Sequence, residues 1–336
     1  VDLPGLGTAE SLSGDMKSSA ALYIFSSQTD PPSIFACNSE NGQTRLLAQA
    51  KVDFEPADFE TRQMFFKSKD GTRVPMFVSH KKGLKLDGSN PTLLFGYGGF
   101  GIGLTPTYNP LALQWMEMGG IYTTACVRGG NEYGREWHQA AIKAHKQRSF
   151  DDFIAAAEYL VEQGFTRPSK LGIQGGGNGA LLVGACLTQR PELFGAAVGH
   201  VGLFDMVRYS LFGIGQYWKP EYGDIAQPEE FKALFTYSPY HAAVRAMPEK
   251  ARWPATFLTT SPDDSRVFPA HSLKFAAAIQ ASQSAQRPIL LHVERTSSKE
   301  GAVSLNADVL SFLVRELSVG DQSTLSTPRP RGRTDP

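Results

Sequence analysis

Over the first fifty positions, apolar and polar residues alternate in short runs: ALYIFSS (21–27), SIFAC (33–37) and TRLLAQA (44–50), separated by QTDPP and NSENGQ. A period of two with this punctuation predicts successive antiparallel strands. From Glu60 the texture changes. RQMFFKS (62–68) and VPMFVSH (74–80) predict a hairpin across KDGTR, where Asp70-Gly71 suits a tight turn. Beyond it, PTLLFGYGG, GGIYTTACV, KLGIQ, FGAAVGHV, PATFLTT and PILLHVER are strand candidates separated by helical periodicity. Ser149 followed by Asp152 reads as a capping box, after which Phe150, Phe153, Ile154, Ala157 and Leu160 share one helical face. Leu305, Val309, Phe312, Leu313 and Leu317 do the same near the end. Alternating strands and helices predict a mostly parallel sheet covered on both faces. The last stretch, DQSTLSTPRPRGRTDP, has almost nothing apolar to bury and reads as a disordered tail. No internal repeat is long enough for a solenoid or a whole propeller.

Length and charge narrow the classes. The chain has 336 residues, which suits one large α/β domain with an appendage. Lys plus Arg and Asp plus Glu are both 33, so no global field points to nucleic acid or an anionic membrane as partner. No window approaches the roughly 18–20 apolar residues of a membrane helix. Cys37, Cys126 and Cys186 are too few and too widely spaced for a disulfide framework or a zinc site, and read as buried reduced thiols of a cytoplasmic protein. The opening VDLPGLGTAE has neither a basic n-region nor an apolar h-region, so no signal peptide is expected. It also lacks an initiating Met, which leaves open a processed or fragmentary chain.

The chemistry concentrates in KLGIQGGGNGALLVGACL, residues 170–187: a strand, a glycine turn and a helix. Two chemistries compete for such a turn. Gly175-x-Gly177-x-x-Ala180 fits the looser dinucleotide fingerprint, in which glycines let backbone approach a pyrophosphate. The same residues fit a nucleophile elbow, G-x-S-x-G, with Gly177 at the centre and no hydroxyl to present. The first reading wants the motif in the first βαβ unit and an acidic residue about 20 positions on. Here the motif lies mid-chain, and Glu192, in QRPELFG, falls in a loop.

Longer signatures accompany the turn: FGYGGFGIGLTPTYNP, VRGGNEYGREWHQAAIKAHKQRSFDDFIAAAEYL, QRPELFGAAVGHVGLFDM, GQYWKPEYGD, YSPYHA and SRVFPAHSLKF. Together they resemble the catalytic domain of the prolyl oligopeptidase family, from about Asp53 to about Val319. Residues 1–52 resemble the last part of that family's seven-bladed propeller, most of which has no counterpart in this chain. The resemblance implies an α/β-hydrolase domain over 53–319, a truncated β-propeller remnant before it and the tail from 320 to 336 after it.

It also implies a serine, an aspartate and a histidine, in that chain order, and here the match is uneven. The family's G-G-S-N-G-G corresponds to Gly175-Gly176-Gly177-Asn178-Gly179-Ala180, so the nucleophile position is Gly177. The acidic position falls on Asp264, with Asp263 as the fallback. The histidine position falls on Lys299 or on no residue. Acyl transfer needs a hydroxyl or thiol activated by a base, and glycine offers neither. A lysine beside Asp264 would stay charged, since its reference pKa is about 10.4. Two of three catalytic positions are therefore substituted, while the binding apparatus is retained. Tyr97 and the Asn178 amide match the oxyanion donors. Phe100, Val201, Trp218, Tyr222 and Val267 match the proline-sized pocket, and Arg266 is placed for a peptide carbonyl.

The expected function is a catalytically impaired relative that holds short proline-containing peptides, with no cofactor. An active hydrolase working through Lys299, Ser297, Ser298 or a bound water is the alternative, and a remnant without function a third. Among the histidines, His138 and His271 lie in signatures the family also carries, without a catalytic role there, and His80, His145, His241 and His292 lack metal-ligand spacing. His200, beside Val201, is the one candidate for a substitute base. Neither H-E-x-x-H nor C-x-x-C occurs, so no metal is expected. The missing propeller would leave apolar surface that a partner chain could cover.

Overall fold

Two sheets organise the chain, in a computed structural model that describes residues 1–294 and 299–318. Ser297, Ser298 and the tail from 320 to 336 lie outside those residues. The first sheet is an antiparallel meander of β1 (Thr8–Gly14), β2 (Ala20–Ser26), β3 (Ser33–Asn38) and β4 (Thr44–Gln49). Alternation puts Tyr23, Phe25 and Phe35 on one face, where Tyr23 stacks on Phe35 at 5.3 Å and Phe25 meets its edge at 6.4 Å. The strand β1 departs from expectation. Its sequence, TAESLSG, is almost wholly exposed, so no apolar alternation marks it; backbone pairing with β2 forms it, with a register shift between Glu10 and Ser13.

The second sheet contains β5 (Phe59–Lys67), β6 (Arg73–Lys81), β7 (Thr92–Gly96), β8 (Ile121–Ala125), β9 (Leu171–Gly176), β10 (Ala196–His200), β11 (Ala255–Thr260) and β12 (Ile289–Val293). Its order is β5-β6-β8-β7-β9-β10-β11-β12, parallel throughout except around β6, which runs antiparallel to both neighbours. This is the α/β-hydrolase architecture that the resemblance implied. The β5–β6 hairpin turns where expected, with Gly71 at φ +84°.

Helices cover both faces because the inner strands are apolar on both. Helix α1 (Pro110–Glu117) and the last helix, Lys299–Leu317, bury Trp115, Val309 and Leu313 against Leu93, Val198 and Phe257. Between them in sequence come α2 (Arg135–Gln139), α3 (Gln147–Glu162), α4 (Asn178–Gln189), α5 (Lys219–Tyr222), α6 (Pro228–Tyr237), α7 (Pro239–Arg245) and α8 (Ala270–Ser282); the last helix is α9. Helices α3, α4 and α8 supply Phe153, Leu182 and Phe275 to the core on the other face. None of the described helices is long and apolar enough to cross a membrane.

The capping-box expectation is corrected. Helix α3 begins at Gln147, not after Ser149, and Ser149 is buried in its first turn. Its Oγ donates to the Arg128 carbonyl at 2.6 Å, and Asp152 accepts from the Arg128 guanidinium. Both side chains serve a tertiary partner that local spacing cannot reveal.

The two sheets meet through buried polar contacts. Gln28 donates to Thr124 Oγ1 at 3.0 Å and accepts from Ser79 Oγ at 2.5 Å, so its buried amide is satisfied on both ends. At the other end, Thr8 Oγ1 donates to the Pro106 carbonyl at 2.7 Å.

Candidate active site

The elbow is built where β9 stops and α4 starts. Gly177 lies between them at φ +56°, ψ −115°, a conformation that residues with a Cβ adopt only under strain. Its amide donates to the His200 carbonyl at 2.8 Å, tying the apex to the end of β10. The glycines of this stretch have different causes. A Cβ on Gly175 would lie 2.3 Å from the Gly179 carbonyl oxygen, and one on Gly179 would lie 2.5 Å from the Gly96 oxygen. Those two are demanded by the close passage of strand, turn and helix. At Gly177 a Cβ would meet no atom within 4 Å, so the side-chain direction opens outward. These glycines thus let strand, turn and helix pass closely, and β9 follows several earlier strands of its sheet.

This contrast gives an expected result. Gly175→Ala should lower stability by about 3 kcal/mol or more through collision with backbone. Gly177→Ala should cost only the strain of its dihedral angles, about 1–3 kcal/mol. Thermal melts of the two variants check the order; equal losses would mean that space does not distinguish the two positions.

Asn178 opens α4, where a backbone amide has no intrahelical carbonyl to bond. Its buried side chain has a role that sequence reasoning missed. Nδ2 donates to the Tyr97 carbonyl at 2.5 Å, and Oδ1 accepts from the Tyr222 hydroxyl at 2.9 Å. One amide therefore joins the elbow to the loop after β7 and to α5. Burial raises the Tyr97 phenol above its ordinary pKa, and the Arg266 charge opposes that rise, which places Arg266 within electrostatic reach of Tyr97.

The aromatic residues expected of the pocket come together. Phe100, at φ +56°, meets Trp218 edge-on at 6.3 Å and Tyr222 at 5.6 Å with perpendicular rings. Trp218 and Tyr222 are four residues apart across the short α5, while Tyr222 is fully buried and Trp218 half-buried. Tyr209 closes the rear, with its ring 5.3 Å from Tyr222 and its hydroxyl donating to the Gly223 carbonyl.

Asp264 lies in the loop after β11, and its Oδ1 accepts from the amides of Arg266 at 2.9 Å and Val267 at 2.8 Å. Those bonds fix the carboxylate and the course of the loop; Asp263 is exposed. Val267 is buried in the core on the α4 side. Val201, at φ +45°, continues β10 through its amide to the Thr259 carbonyl at 3.0 Å. It lines an open cavity of about 490 Å³ together with Gln174, His200, Thr259 and Leu305. Lys299 is the first residue of α9.

His200 does not suit the role of substitute base. Gln174 Nε2 lies 3.1 Å from its Nε2 and Thr259 Oγ1 lies 3.2 Å from its Nδ1, so both ring nitrogens have partners at the cavity wall. Burial pushes its pKa down to about 4, leaving the imidazole neutral and weakly basic.

Comparisons with known proteins agree with this architecture. The sequence profile described as "Prolyl oligopeptidase family" matches residues 106–318. A prolyl endopeptidase of Elizabethkingia meningoseptica is 42% identical over 326 residues, covering 95% of this chain and 46% of that protein. A structure from a mechanistic study of two prolyl endopeptidases superposes with a TM-score of 0.89 at 45% identity, over 95% of this chain and 48% of its own. Prolyl oligopeptidase B from Galerina marginata, bound to a 35mer hydrolysis and macrocyclization substrate, gives a TM-score of 0.87 at 34% identity, over 94% of this chain and 45% of its own. The chain thus spans about half the length of the relatives it matches.

Proposed function

The chain belongs to the prolyl oligopeptidase family, and from that premise we propose that it binds short proline-containing peptides without cleaving them by the serine mechanism. One observation carries this reading: the apex of the elbow is Gly177, which has no side-chain oxygen and where a Cβ would meet nothing within 4 Å, beside an assembled aromatic cluster of Phe100, Trp218 and Tyr222. Acyl-enzyme formation requires a nucleophile, and the loss of a nucleophilic serine alone costs about 10⁶ in turnover in a studied protease. Binding has no such requirement. The Asn178 amide and the Tyr97 hydroxyl are the donors for a carbonyl oxygen, Trp218 offers a flat face to a pyrrolidine ring, and Arg266 serves a peptide carbonyl.

Cover for this site is part of the same proposal. Leu22 and Ile34 are exposed on the first sheet, as are Leu46 and Leu47 of its edge strand. Exposed apolar side chains of that kind, on both faces of the sheet, favour further sheets packing there, from a partner chain or from more of the same polypeptide. The buried, unpaired Cys37, Cys126 and Cys186 suit a reducing compartment such as the cytoplasm.

Calorimetry with a capped Gly-Pro dipeptide amide tests the reading. Saturable binding is expected by millimolar ligand, weakened about tenfold in Trp218→Ala, as truncating a buried aromatic anchor does. No heat at millimolar peptide would overturn the binding claim. Turnover of a proline-specific chromogenic substrate by the unaltered chain would overturn the claim of impairment.

A further inference from the structure

We propose that Lys146, Glu221 and His138 are positioning residues that tie the two aromatic walls of the pocket together, and so set its preference for a proline ring. This rests on the peptide-binding reading above. One wall is Phe100, in the loop after β7; the other is Trp218 and Tyr222, more than a hundred residues later. Their edge-on ring contacts are weak restraints on their own. Phe100 also holds a left-handed backbone conformation, which a residue with a Cβ keeps only when its surroundings over-determine it.

The buried Glu221 carboxylate supplies that restraint. It takes a hydrogen bond from Lys146 Nζ at 2.7 Å and shares one with His138 Nε2 at 2.7 Å. Because Glu221 precedes Tyr222, these bonds hold the α5 side of the site. Lys146 closes the circuit. Its ammonium, wholly buried, also donates to the Gly98 carbonyl at 2.9 Å, two residues before Phe100, and lies 5.5 Å from the centre of the Tyr222 ring. His138, from α2, braces the same loop: a Cβ at Gly101 would touch its ring at 3.6 Å. Burial alone would raise the Glu221 carboxyl, but the Lys146 charge and the hydrogen bonds outweigh it and hold the group below its ordinary range. A buried ion pair is weak evidence for stability and better evidence for fixing one arrangement over others.

The test uses the double variant Lys146→Met/Glu221→Met, which leaves no unpaired buried charge and is expected to fold. Lys146→Met alone, which strands Glu221, is the less stable comparator. In the double variant, hydrogen exchange should speed up in residues 98–102 and 215–223 together. The affinity ratio between capped Gly-Pro and Gly-Ala dipeptide amides should fall about tenfold. Unchanged exchange in either segment, or an unchanged affinity ratio in a folded double variant, would overturn the tie. If the unaltered chain binds neither peptide, the ligand reading fails, and the exchange measurement still decides whether the walls are tied.

Discussion

A chain carrying both Gly177→Ser and Lys299→His is expected to hydrolyse a proline-specific chromogenic substrate, while either substitution alone leaves it at the parent's level. The first change restores an oxygen at an apex whose side-chain direction is already open. The second restores a base at the position the resemblance gives to histidine. Neither works without the other: a serine hydroxyl without a base is a poor nucleophile, and an imidazole without a nucleophile has nothing to deprotonate. Asp264, anchored by the Arg266 and Val267 amides, stands at the acidic position that the resemblance implies. A gain of several powers of ten over the parent is expected, against the roughly 10⁶ that separates a serine protease from its nucleophile-free form. The serine also reintroduces a Cβ at φ +56°, so the active variant should be less stable by about 1–3 kcal/mol. Initial rates, labelling by a fluorophosphonate and a thermal melt read all three effects. A folded double variant that neither turns over nor labels would remove position 299 from the proposed site.

The legible and illegible parts of this protein divide along a physical line. Strands β7 to β11 could be read because a strand buried on both faces is a short apolar run bounded by turn residues, and they are that. The strand β1 could not, because an exposed edge strand needs only backbone bonds to its neighbour and leaves no mark on side-chain type. At the elbow, the sequence marks Gly177 by its position alone; only the close passage of Gly96, Tyr97 and α4 shows that Gly175 and Gly179 avoid a collision while Gly177 leaves a gap. Lys146 and Glu221 were missed for a related reason. Each is a charged residue that reads as solvated surface, and they lie 75 residues apart until the fold buries them against each other. Ser149 and Asp152 were seen but misread, since a side chain that bonds a distant arginine has the same spacing as one that caps its own helix.

That arginine is the site of the second large effect. Arg128→Met is expected to destabilise the protein by about 3–5 kcal/mol, the cost of stranding a buried charge. Arg128 follows β8 and is almost wholly buried. Its Nη2 and Nε grip Asp152 at 2.6 and 2.9 Å, and its own backbone amide donates to the same carboxylate at 3.0 Å. Its Nη1 reaches Asp70 at 2.6 Å, so the β5–β6 turn, the end of β8 and the start of α3 meet on one guanidinium. Removing the cation leaves Asp152, with no exposed side-chain surface, to be carried as an unpaired charge or protonated in the core. Asp70→Asn makes the contrast: its side chain is 44% exposed, and its loss should cost under about 1 kcal/mol. The pH dependence has a fixed sign. Hydrogen bonds from Arg128 hold the Asp70 carboxyl well below the usual carboxylate range. Its contribution is therefore full above the unfolded value of about 3.9 and is lost as the pH falls below it. Urea melts at pH 7 and pH 3 should give a smaller drop for Asp70→Asn than for the parent. A loss in Arg128→Met no larger than in Asp70→Asn would mean that Asp152 is satisfied without the arginine.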